Sequence, residues 1–305
     1  MVLKVYGVNP GEGRTIVVTG ATGRQGSGVV RALLRDRWHV RALTRNPASA
    51  KAQMLAELGA DVVQGDMENV DSLRPVFEGA YGAFSVQNPM ISGLNGEIRQ
   101  GKLVADVAKE VGIQHLVYAS AGTGKPTGIG SWDSKLEVEA HMKALDIPLT
   151  VLRPKAFMEL MTDKGYYPQV STWHLMPKLM GWTRPVSWFA ASDVGIVVAS
   201  IFAAPERYLG HNIQLASDVK TLNECRALYV DVLGKKPPRF PMPVWLFKRF
   251  VGDDLLTMWI WLKTGEISLE TEPALAVHPA AKNVETWLRQ QVPEVQQPAG
   301  NALSL

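Results

Sequence analysis

The chain has 305 residues, of which 46% are apolar and 20% charged, and a net charge of +3. That length buries a sizeable core, as one large α/β domain or one domain with a smaller cap, and the composition excludes disorder outside the ends. The small net charge without a dense basic run argues against a nucleic-acid surface, and the single cysteine, Cys225, excludes an internal disulfide and a multi-cysteine zinc site.

The opening stretch MVLKVYGVNPGEGR lacks the long apolar segment of a signal peptide. No later run reaches the ~20 apolar residues of a membrane span. With one cysteine fitting a reducing compartment, a cytoplasmic protein without a membrane partner is expected. From residue 15 to about 155, short apolar runs alternate with amphipathic stretches. The predicted strands are TIVVTG (15–20), HVRALT (39–44), DVVQGD (61–66), GAFSVQ (82–87), HLVYAS (115–120) and LTVLRP (149–154). Helices are predicted between them near 24–35, 48–59, 70–78, 97–112 and 134–145. Strand alternating with helix implies right-handed crossovers and a doubly wound parallel sheet, whose ligand crevice lies at the carboxyl ends of the strands.

The rhythm changes after residue 155. The segment 157–190 mixes tyrosines, tryptophans, prolines and glycines and reads as irregular. A helix starting at Ser192 or Asp193, a strand NIQLAS, a helix carrying Cys225 on its apolar face and an aromatic helical stretch at 241–264 follow. The expected organisation is a dinucleotide-binding domain over 13–155, a smaller and mainly helical lobe over 156–290 interleaved with the end of the sheet, and a loose tail over 291–305.

The stretch VVTGATGRQGSGVV spaces Gly20, Gly23 and Gly26 as G-x-x-G-x-x-G. Gly20 permits a tight turn, Gly23 lets the backbone approach a pyrophosphate, and Gly26 lets the next helix pack closely on the sheet. The helix N-terminus adds free N–H groups and a positive dipole end. Such a string is weak evidence alone, but here it follows a strand and opens a helix with Val29, Val30, Leu33 and Leu34 on one face. At the end of the second strand, VRALTRNP offers Thr44, Arg45 and Asn46 and no carboxylate to repel a 2′-phosphate. Arg45 can pair with that phosphate bidentately, so NADP(H) is preferred and NAD(H) remains accessible. Asp66, ending the third strand, suits the adenine amino group while Met67 packs on the ring. Asp66 also reads as a plain cap for the helix at 70–78. Gln87 and Asn88, ending the fourth strand, lie under the cofactor's middle or serve as ordinary turn residues.

These residues give the chain a resemblance to the NmrA-like family of atypical short-chain dehydrogenase/reductases, running from about residue 13 to 290. It is carried by TGATGRQG, VRALTRNP, GADVVQGDMEN, GAYGAFSVQNP, EIRQGKLVADVAKEVGIQHLVYAS, SKLEVEAHMKALDIPLTVLRP and SDVGIVVASIF. The resemblance implies a Rossmann-like domain with a smaller C-terminal lobe and binding of NADP or NAD. By it, the pyrophosphate loop maps to Gly20, Ala21, Thr22, Gly23, Arg24, Gln25 and Gly26, the 2′-phosphate contact to Arg45, and the adenine contacts to Asp66 and Met67. The middle of the cofactor maps to Ser85, Val86 and Gln87, and its nicotinamide side to Lys135 and the segment around Pro154 and Phe157. Some relatives carry a further lysine where this chain has Ser49, which weakens the expected phosphate selectivity.

Ordinary short-chain reductases use Tyr-x-x-x-Lys, in which tyrosine supplies the proton. Here GSWDSKLEVEAHM keeps Lys135 but has Ser131 four residues earlier. Ser120, at the end of the fifth strand, can hold a carbonyl but is a poor acid. Lys135, Val138, Met142 and Leu145 share one helical face, so the lysine lies on the apolar side, where a cofactor ribose would be its partner. The competing assignment is a surface pair with Glu139, worth only ~0.3–0.5 kcal/mol. Proton sources are then Lys135, Tyr166, Tyr167, His174 or water. The nine tryptophans suit a flat apolar substrate or a plain core. Two functions follow. The favoured one is an NAD(P)H-dependent oxidoreductase acting on a small hydrophobic, quinone-like or conjugated carbonyl substrate. The other is a non-catalytic NADP(H) redox sensor acting through protein partners. The sequence leaves a protein partner or homo-oligomer open.

Overall fold

The computed structural model describes residues 11–162, 171–238 and 243–292. Tyr166, Tyr167 and the tail from residue 293 lie outside them. The chain divides into two compact units, one of residues 1–155, 191–215 and 273–279, the other of 156–190, 216–272 and 280–305.

The first unit opens with the alternation β1 (Thr15–Val18), α1 (Arg24–Arg35), β2 (His39–Thr44), α2 (Ala50–Glu57), β3 (Asp61–Gln64), α3 (Val70–Phe77), β4 (Gly82–Ser85), α4 (Pro89–Glu110), β5 (His115–Ala119), α5 (Gly130–Ala144) and β6 (Leu149–Pro154). Beyond β6 come β7 (Ala156–Phe157), α6 (Met176–Met180) and β8 (Pro185–Phe189). Next are α7 (Val194–Ala203), α8 (Pro205–Tyr208), β9 (Asn212–Leu215), β10 (Asp218–Thr221) and α9 (Leu222–Leu233). The last helices are α10 (Val244–Val251), α11 (Asp253–Thr264), α12 (Glu272–Val277) and α13 (Val284–Arg289).

Seven strands form one parallel sheet in the order β3-β2-β1-β4-β5-β6-β9. The order reverses at β1, so β1 and β4 run side by side while their following connections diverge. That opens a crevice at their carboxyl ends. This is the Rossmann-like doubly wound fold. The six expected strands and five expected helices of 15–155 are all present, and the main difference is at α4, which begins at Pro89. Asn88 caps it by accepting from the Met90 N–H at 2.9 Å, and Gly93 (φ +72°) kinks it before the long amphipathic part. Hydrophobic burial explains the layering. Leu73, Phe77, Val104, Ala108, Val138 and Met142 from α3, α4 and α5 pack against Leu116, Tyr118 and Val151 of the sheet. On the other face α1 packs on α7 at Gly28 and Gly195, where a β-carbon on Gly195 would sit 2.2 Å from the Gly28 carbonyl oxygen.

A buried polar pair joins β5 and β6 inside this unit. His115 of β5 is fully buried, with Nε2 2.8 Å from Thr150 Oγ1 and its ring edge-on to Phe202. Thr150 spends its single proton on the Tyr208 carbonyl at 2.8 Å, so His115 Nε2 must donate and its Nδ1, which has no hydrogen-bond partner, is the bare nitrogen.

The second unit holds a three-stranded sheet, β10-β8-β7, with β10 antiparallel and β7 parallel to β8. Its core contains Trp173, Trp188, Trp259 and Trp287 with Met158, Met161, Leu222, Tyr229 and Phe247. Those tryptophans are therefore packing residues. Cys225 is buried in the same core, and burial pushes its thiol pKa up, which makes it unreactive. The sheet of β7, β8 and β10 was not expected, because β7 has only two residues and β8 lies in the stretch 157–190, whose prolines, glycines and scattered aromatics read as irregular. No helix among the described residues is long and apolar enough to cross a membrane.

Candidate functional site

The crevice at the carboxyl edge of the sheet is built from strand ends. Thr19, just past β1, accepts from the Val86 N–H at 2.8 Å and donates to the Val86 carbonyl at 3.2 Å, joining the ends of β1 and β4. Gly20 follows with φ +57°, a left-handed conformation that glycine adopts freely, and a β-carbon there would meet Val86 Cγ1 at 2.9 Å. The Gly23 N–H closes the turn on the Gly20 carbonyl at 2.9 Å. A β-carbon on Gly26 would lie 2.2 Å from that same oxygen, so only glycine lets α1 start so close to the turn. Ala21 is buried, Thr22 half-buried, and Arg24 exposed at the first position of α1.

No side chain caps α1 and its first turn holds no acid. Gln25 Oε1 is buried without a hydrogen-bond partner among the described residues. A bare helix start with its positive dipole end, glycines that admit close approach and a buried polar atom awaiting a partner suit a diphosphate.

Arg45 directly follows β2, is exposed and forms no ion pair among the described residues. Ser49, in the place where some relatives carry lysine, caps α2 by accepting from the Ala52 N–H at 3.3 Å. Asp66 accepts from the Glu68 N–H at 3.0 Å, while the cap of α3 is Asn69, which takes the N–H groups of Asp71 and Ser72. Asp66 is therefore not that helix's cap. Met67, Ser85 and Gln87 are brought together. Gln87 Nε2 donates to Ser85 Oγ at 3.0 Å and lies 3.8 Å from Met67 Sδ, and Gln87 Oε1 is buried without a partner among the described residues.

Lys135 lies on the buried face of α5 with Val138 and Met142. Its Nζ donates to the Gln87 backbone carbonyl at 3.3 Å and to Glu97 Oε1 at 2.5 Å. Glu97, on α4, is fully buried, and its Oε2 accepts from Ser134 Oγ at 2.5 Å. Glu139 is not the partner of Lys135. It pairs with Lys143 at 2.6 Å and with Arg153 of β6 at 2.5 Å. Arg153 also donates to Ser120 Oγ and to the Ala121 carbonyl, both at 3.1 Å, and Ser120 donates to Glu139 Oε2 at 3.4 Å. The Ser120 hydroxyl is thus held inside a buried ion pair. Tyr118 of β5 is completely buried, and its hydroxyl has no hydrogen-bond partner among the described residues. Burial, then the charges of Glu97 and Glu139, push its pKa well up against the opposing pull of Arg153, so it stays neutral.

Pro154 ends β6 in the first unit. Phe157 lies in β7 of the second unit, opposite Phe189, and His174 is buried in the second unit. Sequence reasoning missed Glu97 and Arg153, and weighed Glu139 only as a surface partner of Lys135. The signal for Glu97 was present, because it shares a helical stripe with Gly101, Val104, Ala105 and Ala108, all buried.

A parallel doubly wound sheet with a glycine turn at its switch point defines the Rossmann-like class. The model of the NmrA-like family matches residues 12–287, and the chain belongs to that family. Among its relatives is an NmrA-like family domain-containing oxidoreductase of Aspergillus campestris, 32% identical over 255 residues, covering 74% of this chain and 75% of the relative. Another, of Aspergillus flavus, is 29% identical over 257 residues, covering 76% and 77%. Solved structures share the fold. NmrA, a negative transcriptional regulator, in complex with NADP, superposes with a TM-score of 0.75 at 24% identity over 91% of this chain and 94% of that one. NmrA has also been solved with NAD. The Citrobacter sp. triphenylmethane reductase complexed with NADP(H) gives 0.75 at 21% identity over 91% and 100%.

Proposed function

We propose that this chain is an NADP(H)-dependent oxidoreductase that delivers hydride to a small hydrophobic acceptor of the quinone or conjugated carbonyl class. The observation that carries the reading is the Lys135 ammonium, buried on the apolar face of α5 yet bonded to the Gln87 carbonyl at the end of β4, beside the glycine turn. A buried cation is costly unless it is paired, and Glu97 pairs this one at 2.5 Å; a charged donor held at the carboxyl edge of the sheet is what suits it to a ligand. The NADP and NAD complexes of NmrA and the oxidoreductase relatives support the cofactor and the reaction class.

Bound NADPH would supply the hydride. The chain's own residues hold it. The bare N-terminus of α1 with Gly20, Ala21, Thr22, Gly23, Arg24, Gln25 and Gly26 receives the diphosphate, and Arg45 receives the 2′-phosphate. Asp66 and Met67 meet the adenine, Ser85, Val86 and Gln87 line the middle, and Lys135 and Pro154 attend the nicotinamide side. Lys135 gives its remaining N–H to a ribose hydroxyl, which positions the nicotinamide, or to the acceptor's oxygen, where it would stabilise the charge that grows as hydride arrives. An acceptor whose reduced form is a stabilised anion needs no tyrosine acid, which matches Ser131 in the tyrosine's place.

The second reading, a redox sensor without turnover, draws on that same Ser131. The decisive experiment follows loss of reduced nicotinamide absorbance with NADPH or NADH against a panel of quinones and enones. Saturable turnover that Lys135→Ala abolishes is the expected result. Tight NADPH binding with no turnover across the panel would favour the sensor.

Arg45 carries a separate prediction. Arg45→Ala should weaken NADPH binding by about 10- to 100-fold, the value of one charge-assisted phosphate contact, and leave NADH nearly unchanged. Titration by quenching of protein fluorescence measures both. Equal losses would remove Arg45 from the phosphate site.

A further inference from the structure

We infer that Glu97 is the positioning residue of this site, fixing the Lys135 ammonium so that one charged N–H is left for the ligand. The inference rests on the reading above, that Lys135 meets the nucleotide.

A lysine ammonium has three donors and no acceptor. One is taken by Glu97 Oε1 at 2.5 Å and one by the Gln87 carbonyl at 3.3 Å. Both oxygens of Glu97 are engaged, because Ser134 Oγ donates to the other one at 2.5 Å. The carboxylate is fully buried while the lysine side chain is 11% exposed, so Glu97 cannot reach a ligand and the lysine can. The third donor is the one left over.

The two anchors also bracket a feature of the chain. Gln87 precedes and Glu97 follows the segment 88–96, which carries the Gly93 kink and the exposed side chains of Met90, Ile91 and Leu94. By bonding to both ends, Lys135 ties that apolar segment to α5. A buried ion pair is a poor way to gain stability, since well-packed apolar residues of similar volume do as well. Its use lies in aiming an ammonium.

The test is a double-mutant cycle on NADPH affinity, using Glu97→Gln, Glu97→Asp, Lys135→Met and the Glu97→Gln/Lys135→Met pair, with thermal melting of each. Glu97→Gln keeps the shape and removes the charge. It should weaken NADPH about tenfold, while Glu97→Asp, which keeps the charge, should stay within about threefold of the parent. Lys135→Met should weaken NADPH at least as much as Glu97→Gln, and the pair should be no weaker than Lys135→Met alone. A packing role would reverse the order, with Gln harmless and Asp damaging, and that result overturns the proposal. So do losses that simply multiply in the pair, because Glu97 would then act independently of Lys135. If Lys135→Met binds NADPH as the parent does, both the proposal and the lysine reading fall. If Lys135→Met weakens binding and Glu97→Gln does not, only the proposal falls. Should Glu97→Gln fail to fold, Glu97→Asp and the pair still complete the comparison.

Discussion

Glu139→Ala is expected to destabilise the first unit by about 3–5 kcal/mol, the cost of stranding one partner of a buried ion pair. Glu139 and Arg153 are each only 5% exposed at the side chain. Without the carboxylate, the guanidinium keeps only the neutral Ser120 hydroxyl and Ala121 carbonyl as acceptors, and Ser120 loses the acceptor of its proton. Arg153→Met should cost less, because Lys143 still compensates Glu139 from the surface. Replacing both, as Glu139→Leu/Arg153→Met, removes both charges and should recover most of the loss. Urea unfolding of the four chains measures it, and a loss below about 1 kcal/mol for Glu139→Ala would mean that water reaches the arginine.

Acid should destabilise the same unit through His115. Burial lowers its folded pKa to about 4, from about 6.5 in an unfolded chain. Between those values the unfolded chain binds more protons than the folded one, so stability falls as pH falls through that window. The full contribution is about 3 kcal/mol, complete only below pH 4. The bare Nδ1 has no acceptor for the added proton to meet. His115→Leu removes the titrating group and leaves Thr150 bonded to the Tyr208 carbonyl. The parent should therefore lose about 3 kcal/mol more than the variant between pH 7 and pH 4. Parallel pH profiles of unfolding would show that His115 is protonated without penalty in the folded chain.

Both predictions depend on partners far apart along the chain, and the same holds for what sequence reasoning missed. Lys135 was legible as a buried cation because Val138 and Met142 mark the apolar face of α5. Its partner was not, since Glu97 lies 38 positions away on another helix and nothing local pairs them. Glu139, four residues from Lys135, was the local candidate, yet the crossing of α5 over β6 gives it to Arg153 instead. Likewise the cap of α3 that Asp66 offered as its alternative role is supplied by Asn69, nearer the helix.

The sequence by itself determined the alternation of strands and helices, the glycine turn and the exposed arginine after β2. Each depends on hydrophobic period, on backbone sterics at a single residue, or on which side chain stands next to a strand end, and these are local properties. Only the tertiary structure decided the pairing of buried charges, the short strands of the second unit and the tryptophans' place in its core. Those follow from which faces meet when apolar surface is removed from water, and that is settled by the whole chain at once.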